Sequence, residues 1–196
     1  MSLVIGIAGA SGSGKSTVAE WIEDELLREW KDWETKVLHQ DSYYSEHGEE
    51  LLNWESPAII DNDRLIVDIK SWREQASDRK RILFVEGFLV CGVPDLLAQC
   101  DFCFFLKVNK STCRERRFQR DEWIRKHPTY FQTVWSSYLK YNKNYPLNIC
   151  ENGEETPPSK YYSHTSPPLC VIDATRSLKQ VQSILMDCLT RKISEQ

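Results

Sequence analysis

A glycine-rich stretch near the start of the chain has the composition of a phosphate-binding loop. Residues 9–16 read GASGSGKS, which fits the pattern G-x-x-x-x-G-K-[ST]. Glycines let the backbone wrap closely around an anion, so that N–H groups of the loop and of the following helix hold phosphate oxygens. Lys15 would reach the β- and γ-phosphates, and the Ser16 hydroxyl would ligate Mg²⁺. The positions predicted to bind the nucleotide are Gly9, Ala10, Ser11, Gly12, Ser13, Gly14, Lys15, Ser16 and Thr17.

Two alternatives to a phosphate loop are less consistent with this stretch. A Gly- and Ser-rich turn without a ligand would explain the glycines, but the apolar run before the stretch and the helical pattern after it are the context that a phosphate loop requires. A dinucleotide-binding loop, in which Asp41 could bind a ribose, needs the spacing G-x-G-x-x-G. Here the glycines at 9, 12 and 14 give G-x-x-G-x-G, and Lys15 and Ser16 would have no role.

Two acidic residues follow predicted strands and could act together with the loop. Asp41 ends the second strand, and Glu86 follows the apolar run 82–85. Phosphoryl transfer needs a metal ion, a clamp on the γ-phosphate and a group that orients the attacking oxygen. We therefore predict Asp41 as the general base, with Ser16, Asp41 and Glu86 around Mg²⁺. The alternative is that each acid only caps the turn or helix after its strand.

A basic segment lies near the middle of the chain. The chain carries a net charge of −4, yet residues 107–127 hold eight Lys or Arg against three acids. Arg116 and Arg120 are four residues apart and Arg117 and Arg120 are three apart, so three guanidinium groups can share one side of a helix. Such a helix is suited to close over a nucleotide as a lid, with Arg120 catalytic beside Lys15 and Asp41. The alternative is a solvated helix face.

The order of elements predicts the fold class. Apolar runs at 3–8, 36–39, 82–85, 102–108 and 169–172 read as strands, and helical spacing occurs at 16–30, 62–77, 110–126, 130–145 and 178–193. This alternation predicts an α/β fold, with a parallel sheet of about five strands, helices on both faces and a helical lid. Residues 1–196 would form one domain, with the lid at about 110–130. The polar, Pro-rich stretch at about 151–168 would be a loop insertion.

The composition of the chain restricts the classes of protein to which it can belong. The chain has 196 residues, of which 41% are hydrophobic and 28% charged, as in a globular domain. Neither a signal peptide nor a transmembrane segment is predicted, so we expect a cytoplasmic or nuclear protein without a membrane or nucleic-acid partner. Seven cysteines, including the pair Cys100 and Cys103, are expected to be reduced structural thiols rather than a metal or redox site. Whether the chain is a monomer or a homodimer stays open.

Taken together, these motifs resemble the nucleoside kinases of the uridine kinase superfamily, and most closely the nicotinamide riboside kinases. The resemblance covers nearly the whole chain. It rests on GASGSGKST at 9–17, QDSYY at 40–44, NWESPAIID at 53–61, VEGFLV at 85–90, CRERRFQRDEW at 113–123 and HPTYFQTVWSSYLKY at 127–141. The last stretch is the most specific to the riboside kinases.

The resemblance implies roles for individual residues. Asp41 would accept the proton of the riboside 5′-hydroxyl, Tyr44 would stack on the nicotinamide ring, and Glu55 would bind the ribose hydroxyls. Arg116, Arg120 and Arg176 would contact ATP, and Arg117 the substrate. The full set implied for the riboside is Asp41, Tyr43, Tyr44, Trp54, Glu55, Arg117, Glu122 and Trp123.

Three positions depart from the family pattern. Glu55 stands where the family usually has an Asp, and Lys126 stands where it has an acid. The lid aromatic of the family aligns with Glu122, with Trp123 one position away.

The resemblance as a whole implies an ATP- and Mg²⁺-dependent kinase that makes nicotinamide mononucleotide for NAD synthesis. A kinase for uridine, cytidine or another small hydroxyl acceptor is the alternative, and a non-catalytic nucleotide-binding protein is a further one.

Overall fold

A single six-stranded sheet forms the centre of the molecule. The computed structural model describes residues 2–45, 54–142, 160–162 and 165–194. The strands lie in the order β2-β3-β1-β4-β6-β5. Their bounds are β1 Ser2–Gly9, β2 Trp33–His39, β3 Lys80–Gly87, β4 Phe102–Lys107, β5 Lys160–Tyr162 and β6 Leu169–Asp173. Five strands are parallel and β5 is antiparallel to β6, which confirms the predicted parallel sheet.

Helices follow the strands in sequence and flank the sheet. The α-helices are α1 Lys15–Glu29, α2 Asn62–Glu74, α3 Pro94–Leu97, α4 Lys110–Arg120, α5 Glu122–Lys126, α6 Tyr130–Tyr141 and α7 Leu178–Ser194. Short 3₁₀ turns occur at Gln40–Tyr43 and Pro57–Ile59. Strands β1, β3 and β4 are buried along nearly their whole length, with Phe84, Phe102, Phe104 and Phe105 fully buried. Because both faces of these strands are covered, their sequences are continuous apolar runs rather than alternating ones.

The predicted lid helix is two helices. We predicted one helix over 110–126, but the chain breaks at Asp121, where φ is −112° and ψ is 105°. The Asp121 carboxylate accepts a hydrogen bond from the Ile124 N–H at 3.1 Å and so caps α5. An aspartate favours this capping position over a helix interior, which explains the break.

The polar stretch at 151–168 contains a strand that we did not predict. Residues 160–162 pair with β6 at the edge of the sheet, so the expectation of a loop throughout is wrong there. A stretch of three residues is too short to display the alternation of apolar and polar residues that predicts a strand, and the pairing depends on β6 being adjacent in space. The rest of this stretch up to residue 159, and residues 163–164, lie outside the described residues.

The described cysteines are free thiols. Five of the six are buried, and Cys188 is partly buried. The hydrogen bond with Cys103, together with burial, raises the pKa of Cys100 well above its usual value, so this thiol stays protonated. The sulfur atoms of Cys170 on β6 and Cys188 on α7 lie 3.0 Å apart. Cys150 lies outside the described residues. Among the described helices, none is both long and apolar enough to cross a membrane.

Candidate active site

The glycine-rich loop joins β1 to α1 at the carboxyl edge of the sheet. Gly12 and Gly14 have φ angles of +89° and +96°, which L side chains rarely adopt. A Cβ at Gly12 would lie 3.0 Å from the Cys113 carbonyl oxygen, so helix α4 packs directly on the loop. Gly14 is the N-cap of α1 and offers no capping side chain. The first turn of α1 therefore presents N–H groups that an anion can bind.

Lys15 is buried at the base of this loop. Lys15 is only 8% exposed, and its Nζ donates a hydrogen bond to the Ala10 carbonyl oxygen at 3.2 Å. Burial lowers the pKa of Lys15, while the nearby carboxylates of Glu86 and Asp41 oppose that shift. A cation removed from water in this way gains more from a bound phosphate than an exposed lysine would.

Glu86 connects the loop to strand β2. It is 3% exposed, and its Oε1 accepts a hydrogen bond from the Ser16 hydroxyl at 3.1 Å. The Nδ1 of His39 lies 2.8 Å from the same oxygen, because the parallel register of β2 and β3 pairs His39 with Glu86. We did not identify His39 from the sequence. The available signal was a polar residue at the end of a strand next to the one that carries Glu86.

The oxygen donors near the loop fit Mg²⁺. A hydroxyl from Ser16 and a carboxylate from Glu86 are in contact, and Asp41 and Glu86 interact electrostatically. Within the described ranges, no group of three or more His, Cys, Asp or Glu could hold a metal ion. Mg²⁺ keeps several waters and takes one or two carboxylates plus substrate phosphates, so a site for it needs few protein ligands.

Asp41 lies in the 3₁₀ turn Gln40–Tyr43, directly after β2. Its side chain is accessible to solvent. Partial loss of hydration raises the pKa of Asp41, Lys15 opposes this, and Glu86 adds to it. Arg117 and Arg120 of the lid also favour the charged form. The structure thus brings Asp41 together with Lys15 and Glu86, as expected for a residue that acts beside the phosphate loop.

Gln40 fixes the turn that carries Asp41. Its side chain is completely buried, its Oε1 accepts from the Leu89 N–H at 3.0 Å, and its Nε2 donates to Asn62 at 3.2 Å. Gly87 allows this approach, since a Cβ there would lie 2.2 Å from the Gln40 Oε1. Sequence reasoning missed Gln40 as a positioning residue, although it stands directly before Asp41.

We expect Gln40→Ala to destabilise the protein. The substitution removes one buried and one partly buried hydrogen bond, leaves the Leu89 N–H unpaired and opens a cavity. Together these effects cost about 2–4 kcal/mol. Urea denaturation followed by circular dichroism measures this change in the free energy of unfolding. Gln119→Ala, on the exposed side of α4, is the matched control and should change it by less than about 0.5 kcal/mol. Equal effects of both substitutions would contradict the assigned role of Gln40.

The lid arginines have different surroundings. Arg116 donates to the Ala174 carbonyl oxygen at 2.9 Å and lies 3.5 Å from the carbonyl oxygens of Gly12 and Ser13. Arg117 donates to the Ser11 hydroxyl and pairs with Asp121 at 3.2 Å. Arg120 is exposed and interacts electrostatically with Lys15 and Asp41. The lid is therefore joined to the phosphate loop through Arg116 and Arg117, while Arg120 faces the charged centre.

A cavity of about 230 Å³ lies beside the loop. Besides Ser13 and Gly14 of the loop, it brings together three further residues that we predicted to contact ATP, namely Thr17, Arg116 and Arg176. Arg176 is exposed, and its Nε lies 3.7 Å from an Asp173 carboxylate oxygen. The other lining residues are Ser13, Gly14, Val18, Ala174, Leu178 and Val181. This mixture of apolar side chains and arginines next to a phosphate loop suits a purine base and its phosphates.

Aromatic and acidic residues near Asp41 border an exposed surface that we call the second cleft. The rings of Tyr44 and Trp54 meet edge to face at 6.2 Å, and both side chains are more than 40% exposed. Burial raises the pKa of the neighbouring Glu55, Arg117 opposes this and Asp41 adds to it. Tyr44, Glu55 and Arg117 therefore lie near Asp41, and Trp54 contacts Tyr44.

Two predicted substrate residues lie elsewhere, and a third lies at the margin. The buried Tyr43 hydroxyl donates to Asp68 of α2 at 2.7 Å, so this side chain packs on α2. Glu122 is exposed and paired with Lys126 at 2.8 Å, four residues along one helix face. Trp123 stacks on His127 at 4.3 Å and meets the ring of Tyr130 at 5.0 Å. Trp123 therefore borders the second cleft through Tyr130.

The fold and the site together define a class of protein. A parallel sheet in this strand order, with a phosphate loop after β1 and an arginine-bearing lid beside it, is the architecture of a P-loop kinase. Among solved structures, deoxyadenosine kinase from M. mycoides with bound dATP has a TM-score of 0.55 and 15% identity, covering 96% of this chain and 100% of that chain. At this identity, the likeness confirms the fold.

Comparison of this sequence with those of known proteins finds relatives among the P-loop kinases. Residues 4–50 match the Phosphoribulokinase / Uridine kinase family. The uridine kinase of Shewanella pealeana is 29% identical over 192 residues, covering 85% of this chain and 87% of that protein. The uridine kinase of Shewanella denitrificans is also 29% identical over the same shares of both chains. The chain is therefore similar in sequence to uridine kinases over most of its length.

Proposed function

We propose that this protein transfers the γ-phosphate of ATP to the 5′-hydroxyl of nicotinamide riboside. The observation that carries the proposal is that the Asp41 carboxylate interacts electrostatically with Lys15 and Glu86 beside the phosphate loop and also with Tyr44 and Glu55. ATP would bind along the phosphate loop and the Arg116 cavity. The riboside would bind in the second cleft, with its 5′-hydroxyl at Asp41.

The chemistry follows from the charges around Asp41. The carboxylate would accept the proton of the attacking hydroxyl, which raises the nucleophilicity of that oxygen. Lys15 and Arg120 would stabilise the negative charge of the transferring phosphoryl group. Ser16, Asp41 and Glu86 would hold Mg²⁺, which supplies further positive charge on the phosphate oxygens when bound. The lid, α4 and α5, would exclude water from this centre.

The second cleft supports a cationic aromatic base. Tyr44 and Trp54 present accessible rings, and Glu55 and Asp41 place negative charge beside them. A pyridinium ring such as that of nicotinamide riboside is attracted to aromatic faces and to acids. The ion pair of Lys126 with Glu122 lies on the surface of α5, so the Lys126 departure adds no unpaired positive charge there.

Uridine and cytidine are the alternative acceptors. Relatives with 29% identity over most of the chain are uridine kinases, and this favours a pyrimidine nucleoside about as strongly as the aromatic cleft favours a pyridine one. Neutral pyrimidines would use the same Asp41 chemistry and the same ribose contacts. The two alternatives differ only in the base, so a direct comparison of substrates separates them.

A coupled assay for ADP release, with Mg-ATP and four ribosides, tests the proposal. We expect kcat/KM for nicotinamide riboside to exceed that for uridine and cytidine by at least about 10-fold, equivalent to about 1.4 kcal/mol. Nicotinic acid riboside, the fourth member, reports whether the amide is required. A preference for the pyrimidine nucleosides would instead support a uridine kinase. Binding of ATP without turnover of any riboside would support a non-catalytic nucleotide-binding protein.

A further inference from the structure

Two free thiols are in contact where helix α7 packs on strand β6. The sulfur atoms of Cys170 and Cys188 lie 3.0 Å apart and share a hydrogen bond. Pairing of β6 with β4 and β5 fixes the backbone at Cys170. Cys188 lies on the side of α7 that buries Val181 and Leu185, two turns after Val181. The contact between the thiols is therefore set by the packing of a strand and a helix.

The two thiols differ in exposure and in protonation. Cys170 is 2% exposed, whereas Cys188 is only partly buried. The hydrogen bond with Cys170 lowers the pKa of Cys188; burial opposes this, Arg191 adds to it and Asp187 opposes it. The same hydrogen bond, together with burial, raises the pKa of Cys170. Cys188 is therefore the thiol that solvent reaches and that more readily forms a thiolate, which is the reactive species.

A second pair of neighbouring thiols in the same protein lacks these properties. Cys100 and Cys103 are hydrogen-bonded to each other, but both are buried. The pKa of Cys100 is raised well above its usual value by that hydrogen bond and by burial. This pair has neither access to a reagent nor a thiolate, so it is an internal reference for the reactivity of Cys170 and Cys188.

We propose that Cys170 and Cys188 are a redox-active dithiol that hydrogen peroxide converts to a disulfide. The Cys188 thiolate attacks one peroxide oxygen, the O–O bond breaks and hydroxide leaves, which makes Cys188 a sulfenic acid. The Cys170 sulfur then attacks the Cys188 sulfur, so that the S–S bond forms and the S–O bond breaks. Each hydroxide takes the proton of one thiol. The two thiols together lose two electrons, and the peroxide is reduced to two waters.

The disulfide would join two elements that line the nucleotide cavity. Ala174 directly follows β6, and Leu178 and Val181 lie in the first turns of α7, and all three border that cavity. A covalent bond between β6 and α7 also restricts the unfolded chain, which stabilises the folded state. The inference does not depend on which nucleoside the protein phosphorylates.

The test exposes reduced Cys150→Ser protein to hydrogen peroxide under native conditions. This background is used because Cys150 carries a thiol of its own and lies outside the described residues. Remaining thiols are alkylated and the digest is mapped by mass spectrometry. We expect a cross-linked peptide pair containing Cys170 and Cys188, with a loss of two hydrogens, formed at least about 10-fold faster than any oxidation of Cys100. A dithiol reductant should restore both thiols.

Two variants in the same background separate the roles of the sulfurs. Cys170→Ala removes the second thiol, so the sulfenic acid on Cys188 should persist and be trapped by dimedone. Cys188→Ser should leave Cys170 unreactive, because that thiol is 2% exposed. Circular dichroism checks that both variants are folded. The oxidised protein should have a Tm equal to or several degrees above that of the reduced protein, since the bond forms within the native packing.

Four results would overturn the inference. The first is survival of both thiols at a peroxide concentration that oxidises free glutathione. The second is oxidation of Cys100 at the same rate, which would show that the fold has opened. The third is reaction of Cys170 in Cys188→Ser as fast as that of Cys188 in Cys170→Ala. The last is a fall of Tm on oxidation, which would mean that the bond forms only when α7 leaves its place on β6.

Discussion

Asp41→Asn should lower kcat by about 10³-fold while KM for ATP stays within a few-fold. A positioned general base contributes about 10²–10⁴-fold, and asparagine has nearly the same shape but cannot accept the proton. Among the residues that the structure describes, Asp41 forms no hydrogen bond with the phosphate loop. Its turn is fixed by the buried Gln40 side chain. The nucleotide cavity beside Arg116 should therefore be unaffected. Steady-state kinetics with varied ATP and varied riboside measures both effects.

The control for this substitution is Asp24→Asn, on the exposed side of α1. It removes one negative charge from the same protein at a site away from both clefts, so kcat should stay within about 2-fold. A kcat of Asp41→Asn above about one tenth of wild type would exclude Asp41 as the base. A parallel loss of ATP binding would instead indicate that Asp41 serves mainly as a ligand for the nucleotide and its cation.

Lys15→Met should lower kcat by about 10²–10³-fold without destabilising the protein. Methionine fills a similar volume but has no charge, and loss of a charged donor to the transferring phosphoryl group costs about 10²–10³ in kcat. In the absence of nucleotide the buried ammonium is costly, as the lowered pKa of Lys15 indicates, because burial opposes its charged form. The apo variant should therefore have a Tm equal to or above that of wild type.

Differential scanning fluorimetry without and with Mg-ATP measures the Tm of the apo protein and the rise in Tm on nucleotide binding. Wild type should gain Tm on nucleotide binding, whereas Lys15→Met should lose most of that gain. Lys70→Met, at an exposed position of α2, is the matched control and should retain both activity and the nucleotide-induced shift. A clear fall in the apo Tm of Lys15→Met would show that the ammonium stabilises the fold through Ala10 rather than serving the ligand.

Much of the chemistry could be predicted because it depends on residues that are close in sequence. The glycines of the loop, Lys15 and Ser16 lie within eight positions, and their spacing is set by the geometry of a single strand–loop–helix unit. The strands could be predicted since central parallel strands are buried on both faces and read as apolar runs. Asp41 and Glu86 followed from these, because each stands at the end of such a run.

Residues that act across elements could not be predicted in this way. His39 meets Glu86 only because β2 and β3 pair in a particular parallel register. Gln40 looks like an ordinary polar residue, and its role depends on Gly87, Leu89 and Asn62 coming together from two other segments. The orientation of Tyr43 toward Asp68, rather than toward the second cleft, was decided by the packing of α2.

The sequence by itself therefore determined the fold class and the phosphate-binding loop of this protein, since both follow from local spacing and hydrophobic runs. Only the tertiary structure decided which side chains share the second cleft. Tyr130 and Glu55 are 75 positions apart, and Arg117 lies on a third element. These residues come close together only because the sheet and helices pack against each other. The burial and charge that shift their pKa values depend on all the residues around them and not only on their neighbours in the chain.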